Sequence, residues 1–130
     1  MRGMFDYLID NKLRELGITL PAAPTPAAND LSWLVTGKQL WIAGQAAMVD
    51  GKHRFVGRLG AQFDVTEGRE AARIAAINLL AQVKAACGGD WHGLARCVRL
   101  CGYPNATPVP PRSLPIIRWS VMARLTFSWR

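Results

Sequence analysis

The run TEGREAARIAAINLLAQVKAACGG, from Thr66 to Gly89, limits the possible folds more than any other part of the chain. Ala71, Ile74, Ala75, Asn78, Leu79, Val83 and Ala86 recur on one face at helical spacing. Thr66 stands where a hydroxyl can cap a helix N-terminus. Glu67 and Glu70 then sit at the positive end of the macrodipole, and Gly88-Gly89 supplies the stop. The small alanines on this face allow close packing onto a sheet.

The flanking text supplies that sheet. Residues 33–36, 39–43 and 54–57 are short β-prone runs punctuated by Gly37, Gly44 and the Asp50-Gly51 turn signal, so a three-strand meander is expected. Residues 90–94 read as a turn, and residues 96–101 resume with β character. At the N-terminus, Phe5, Leu8, Ile9, Leu13 and Leu16, followed by Gly17, predict a helix over residues 4–16. PAAPTPAAN, residues 21–29, then reads as an extended polyproline-like linker without a core. Strands, a long helix and a further strand predict an α+β domain, an antiparallel-rich sheet covered on one face by helices.

With 130 residues, half of them hydrophobic, the chain suits one domain with a real core. No apolar run approaches the roughly 20 residues of a membrane span, and the charges at Asp6, Asp10, Lys12, Arg14 and Glu15 leave no signal-peptide core, so no membrane partner and a cytoplasmic location are expected. The formal charge is +7, but Arg112, Arg118, Arg124 and Arg130 all follow Pro108. Residues 1–108 hold 12 basic against 9 acidic residues, a surplus of three, which disfavours nucleic acid as the partner of the body. Cys97 and Cys101, four apart on one strand, would lie about 13 Å apart, too far to share a metal or a disulfide with Cys87 and His92 as further ligands. No metal site is expected; the cysteines read as small core residues, and His53 and His92 as solvated loop residues. Trp33 and Trp41 read as sheet-face or subunit-contact residues.

Four blocks carry a resemblance: LGITLPAAPTPAAN, TGKQLWIAGQAAMVDGK, GRLGAQFDVTEGREAARIAAINLLAQVKAACGGD and RCVRLCGYPNATP. In this order and spacing they resemble the YjgF/RidA family, in its subgroup with an N-terminal LGI…PAAN extension, over about residues 16–108. The resemblance implies the chorismate-mutase-like YjgF fold, a homotrimer with ligand clefts between subunits, and no cofactor. It implies a small-molecule imine, enamine or keto acid as the ligand, and a 2-iminobutanoate/2-iminopropanoate-type deaminase (hydrolase) as the ancestral activity.

Matched position by position, the resemblance implies substrate-binding candidates at Asp30, Ala43, Gly44, Gln45, Cys101 and Gly102. Ala43 stands where the catalytic subgroup usually has a serine hydroxyl, and Asp30 where a cleft tyrosine would fall. The arginine that grips the substrate carboxylate belongs to a C-terminal A-R-S/A-x-V block that this sequence lacks. No catalytic residue is therefore expected to be intact. The expectation is a RidA-like protein with impaired catalysis, or alternatively a non-catalytic trimeric metabolite binder.

The divergence lies in residues 109–130, read as a basic tail appended to a domain at residues 1–108, which would leave the C-terminal part of the fold incomplete. Codons permitted for residues 120–130, read one frame over, allow Asn-Gly-Ala-Ser-Asp-Leu-Leu-Val-Glu, a family-like continuation. A frame shift near Pro108 is accordingly expected. Yet Ile117, Trp119, Val121, Ala123, Leu125, Phe127 and Trp129 alternate with mostly polar residues at strand periodicity. Two outcomes stay open: a strand packed against the free edge of the sheet, or a loosely ordered tail.

Overall fold

The computed structural model of the chain describes residues 4–26, 29–103, 105–108 and 122–129. Helix α1 spans Met4–Glu15 and α2 spans Val65–Ala86. The strands are β1 Trp33–Thr36, β2 Gln39–Gln45, β3 Met48–Val49, β4 Lys52–His53, β5 Leu94–Tyr103 and β6 Met122–Trp129. Four form an antiparallel sheet in the order β1-β2-β6-β5, while β3 and β4 make a separate two-stranded hairpin. No helix among the described residues is long and apolar enough to cross a membrane.

The expected α+β architecture is present, and its core lies where α2 meets the sheet. Leu40 and Ile42 of β2 pack with Leu79 and Val83 of α2, Trp91 and Leu94, and Ile9 and Leu13 of α1 pack against this cluster. Trp91 joins the N-terminal helix to the body. Its backbone N–H donates to the buried Asp6 carboxylate at 2.8 Å, and its indole Nε1–H donates to Asp10 Oδ1 at 2.9 Å. The Lys84 ammonium lies 5.8 Å from the ring centroid.

Both helices stop as their glycines predict. At α1, Ile18 N–H donates to the Leu13 carbonyl and Gly17 N–H to that of Arg14; at α2, Gly89 N–H donates to Lys84 and Gly88 N–H to Ala85. This paired pattern needs a left-handed residue after the last turn, and Gly17 and Gly88 supply it with φ of 65° and 77°. The start of α2 corrects the expected cap. Asp64 rather than Thr66 caps the helix: its carboxylate accepts from Glu67 N–H at 2.8 Å, while Glu67 Oε2 accepts from Asp64 N–H at 2.9 Å. A carboxylate three residues before a glutamate closes both bonds at once, which Thr66, already inside the first turn, cannot do. Gly68 belongs to the same entry, because a Cβ there would come within 2.7 Å of Leu59 Cδ1.

Three other expectations are revised. Residues 54–57 form no strand, since Phe55 and Gly57 take φ of 56° and 153°, outside the extended region; His53, expected in a loop, lies in β4. The proline-rich segment lies on the body: Leu20 packs against the core, and buried Gln82 donates from Nε2 to the Pro24 carbonyl at 2.6 Å. Finally, residues 122–129 pair on both sides, with β2 and with β5, so over that stretch the tail is a strand, as the first outcome has it, but the edge position expected for it is corrected. They occupy the middle of the sheet and not its edge. The readings made for residues 109–121 and 130 lie outside the described residues.

The PNATP block closes the loop that leads into α2. Leu59 N–H donates to the Asn105 carbonyl, Thr107 N–H donates to the Leu59 carbonyl, and Asn105 Nδ2 donates to the Gly57 carbonyl. Phe55 and Phe63 meet edge to face inside this loop, with centroids 5.6 Å apart.

Candidate functional site

A cleft of about 380 Å³ opens on the sheet beside β1. Strand pairing builds its floor. Trp41 of β2 stands opposite Thr126 of β6, and Thr126 stands opposite Arg99 of β5, so the three lie side by side across three strands. At the usual strand spacing of about 4.8 Å, Trp41 and Arg99 are roughly 10 Å apart at their backbones. Alternation along β5 puts Arg99, Cys101 and Tyr103 on one side, and all three line the cleft with Trp33, Leu34, Trp41, Ala43 and Thr126. Thr126 is buried beneath them, while Trp41 keeps 48% of its surface exposed and Tyr103 52%.

Of the six residues suggested by the resemblance, Ala43 and Cys101 meet in this cleft. Gly44, Gln45 and Gly102 flank it. Gln45 and Gly102 stand on opposite sides of the same β6 position, Ala123, which places the two sequence blocks next to each other across the inserted strand. Gln45 is buried, and its Nε2 donates to the Ala43 and Gly44 carbonyls, each at 3.3 Å. It therefore shapes the bulge between Ile42 and Gln45 and does not reach outward. Asp30 is exposed ahead of β1 and lies outside the cleft lining.

The residue that sequence reasoning passed over is Arg99. A signal for it existed: Cys101 was already a candidate, and Arg99 lies two positions earlier on the same strand face. Among the described residues no carboxylate pairs with it, and the lining holds no acidic side chain. The cleft lining thus combines one exposed arginine with Trp33, Trp41 and Tyr103, a set of side chains that favours a small planar anion. No carboxylate or imidazole is available among the described lining residues to move a proton, which leaves Cys101 and Tyr103 as the ionisable neighbours.

The cysteines differ from one another. Burial, reinforced by Asp90 and Asp6, pushes the Cys87 thiol up to about 11, so it stays protonated and unreactive near neutral pH. Cys97 is exposed and Cys101 half-buried in the cleft, so only Cys87 resembles the small core residue expected of all three.

A family model described as "YjgF/chorismate_mutase-like, putative endoribonuclease" matches residues 10–107. "Protein TCP17" of Trypanosoma cruzi is 42% identical over 96 residues, 74% of this chain, and the chain spans 59% of that relative's length. Among solved structures, Atu1372 of Agrobacterium tumefaciens, a protein of unknown function, superimposes with a TM-score of 0.72 at 29% identity, covering 96% of this chain and 94% of its own. A protein of Shewanella oneidensis described as a "putative endoribonuclease" gives a TM-score of 0.72 at 23% identity, covering 92% of this chain and 97% of its own, a likeness of fold. The ordered sequence blocks, the α2-covered antiparallel sheet and the family match over residues 10–107 agree, and the chain belongs to the YjgF/chorismate-mutase-like family.

Proposed function

We propose that this chain binds a small carboxylate-bearing metabolite, an imine, enamine or keto acid, in the cleft between β1 and β5, and that its hydrolysis of an imine is impaired. The observation that carries this reading is Arg99, paired with no carboxylate among the described residues, in a largely apolar cleft lined by Trp33, Trp41 and Tyr103. It supplies an anion anchor on β5 in place of the arginine that the family resemblance led us to seek further along the chain. Hydrolysis of an imine adds water to the C=N carbon and expels ammonia, which requires proton transfers. Ala43 withholds the hydroxyl that would hydrogen-bond the substrate at that point.

Titration with 2-oxobutanoate, read by calorimetry, tests the reading. A charged hydrogen-bond pair contributes about 1.5–3 kcal/mol, so Arg99→Gln should weaken binding roughly 10- to 100-fold. Equal affinity for wild type and variant would remove Arg99 from the site. In a coupled assay in which an amino acid oxidase generates the imine, Ala43→Ser should speed keto-acid release over wild type.

The same walls and guanidinium could instead receive a base and a phosphate, the reading that the family description favours. Retention of single-stranded RNA at low salt that Arg99→Gln abolishes, with no response to 2-oxobutanoate, would decide for it.

Assembly is part of the proposal. Leu31, Leu34, Trp41 and Tyr103 leave an apolar sheet face exposed around the cleft, and a homotrimer would cover it and turn the cleft into an inter-subunit site. Light scattering should return three times the chain mass of 14.3 kDa. A monodisperse monomer would sink the trimer and leave the cleft open on one side.

A further inference from the structure

A second, larger concavity lies against α2. It is lined by Thr19 and residues 21–25 of the proline-rich strap, by residues 48–51 of the β3–β4 hairpin and by Ile74, Ile77 and Asn78 of α2, with a volume of about 620 Å³. That is within the usual range for a small-molecule site, about 300–1,000 Å³. Both walls are fixed from α2. Gln82 holds the strap through the Pro24 carbonyl, and Asn78, one turn earlier, donates from Nδ2 to the Ala46 and Met48 carbonyls, each at 3.0 Å. Pro21 and Pro24 lock their own φ angles, so the strap resists collapse into the groove.

The chemistry of the lining selects a ligand. Ile74 and Ile77 form an apolar floor. Asn78 is 2% exposed, and among the described residues no donor reaches its Oδ1. A buried amide oxygen without a donor costs about 1–3 kcal/mol, which a ligand N–H would recover. Asp50 is the one charged residue in the lining; it stands exposed at the tip of the β3–β4 turn. The groove thus carries the opposite sign to the Arg99 cleft: an acceptor below, a carboxylate at the rim and no base.

We propose that the groove between the strap and α2 is a binding site for a small apolar amine, with its hydrocarbon on Ile74 and Ile77 and its ammonium between Asn78 Oδ1 and the Asp50 carboxylate. This site is separate from the Arg99 cleft and does not depend on what that cleft binds.

Three probes of equal length, hexylamine, hexanol and hexanoate, separate charge from hydrocarbon when titrated at neutral pH and followed by backbone amide NMR. Hexylamine should bind at least about 10-fold more tightly than hexanoate, a ratio equivalent to one charged contact, with shifts concentrated in residues 19–25, 48–51 and 74–78. Asp50→Asn should reduce hexylamine to the affinity of hexanol without changing hexanol itself. Asparagine tolerates the left-handed φ of 50° at this position, so the variant should fold. Ile77→Trp, which fills the groove, should abolish both. Hexanoate binding as well as hexylamine, shifts that map elsewhere, an unchanged Asp50→Asn variant, or no binding by any probe would each overturn the proposal.

Discussion

A chain terminated after residue 121 should lose cooperative folding, giving a coil-like far-ultraviolet spectrum and no sigmoidal urea transition. β6 pairs with β2 over Gln39–Gln45 on one side and with β5 over Leu94–Tyr103 on the other. Removing it strips two ladders and leaves β2 and β5 a strand's width apart, with no shared bonds. Each ladder bond contributes a net ~0.5–1.5 kcal/mol. Two ladders therefore sum to about the whole marginal stability of a domain this size, roughly 5–15 kcal/mol. Thr126, buried under the cleft, would be lost with them. A truncated chain that still unfolds cooperatively at an unchanged midpoint would show that residues 122–129 are an appendage and that the cleft floor is wrongly assigned.

Trp91→Ala should destabilise the full chain by about 3–5 kcal/mol, the range for deleting a fully buried large aromatic side chain. The indole is 1% exposed and packs among Leu40, Ile42, Leu79, Val83 and Leu94. Its loss leaves a cavity between the sheet and both helices and removes the donor to Asp10. The Asp6 bond should survive, because it comes from the backbone N–H of residue 91. Trp91→Phe is the milder change: it keeps one aromatic ring but loses part of the indole's volume together with its N–H, and should cost less than the alanine variant, about 1.5–3 kcal/mol. With a urea m-value of about 1–3 kcal/mol/M, the alanine variant should move the unfolding midpoint by about 2 M. A shift under about 0.5 M would mean that α1 is held by something other than Trp91.

The two helices were legible because their determinants are local. Periodic apolar faces and a glycine just past the last turn specify α1 and α2 with no knowledge of neighbours, and β1 was read over the residues it occupies. The cap of α2 was equally local, written as Asp64 and Glu67 three apart, but a hydroxyl nearer the apolar run drew attention from it. Residues 54–57 failed for another reason. β-prone side chains state a preference for extended backbone, and here Phe55 and Gly57 are held off it while the loop closes onto Asn105 and Thr107. The candidate site divides the same way. Ala43 and Cys101 came from matching blocks, whereas their meeting with Trp41, Thr126 and Arg99 depends on which strands are neighbours.

By itself the sequence determined the helices, the strands around residues 33–36, 39–43 and 96–101, the family and the strand character of residues 122–129, because each is encoded in spacing along a few residues or in ordered blocks. Only the tertiary structure decided that this last strand enters the middle of the sheet, that Arg99 faces the cleft, and that the proline-rich strap stands off α2 to leave a second groove. Those outcomes depend on contacts between residues far apart in the chain, where alternation gives the face of a strand but not its partner.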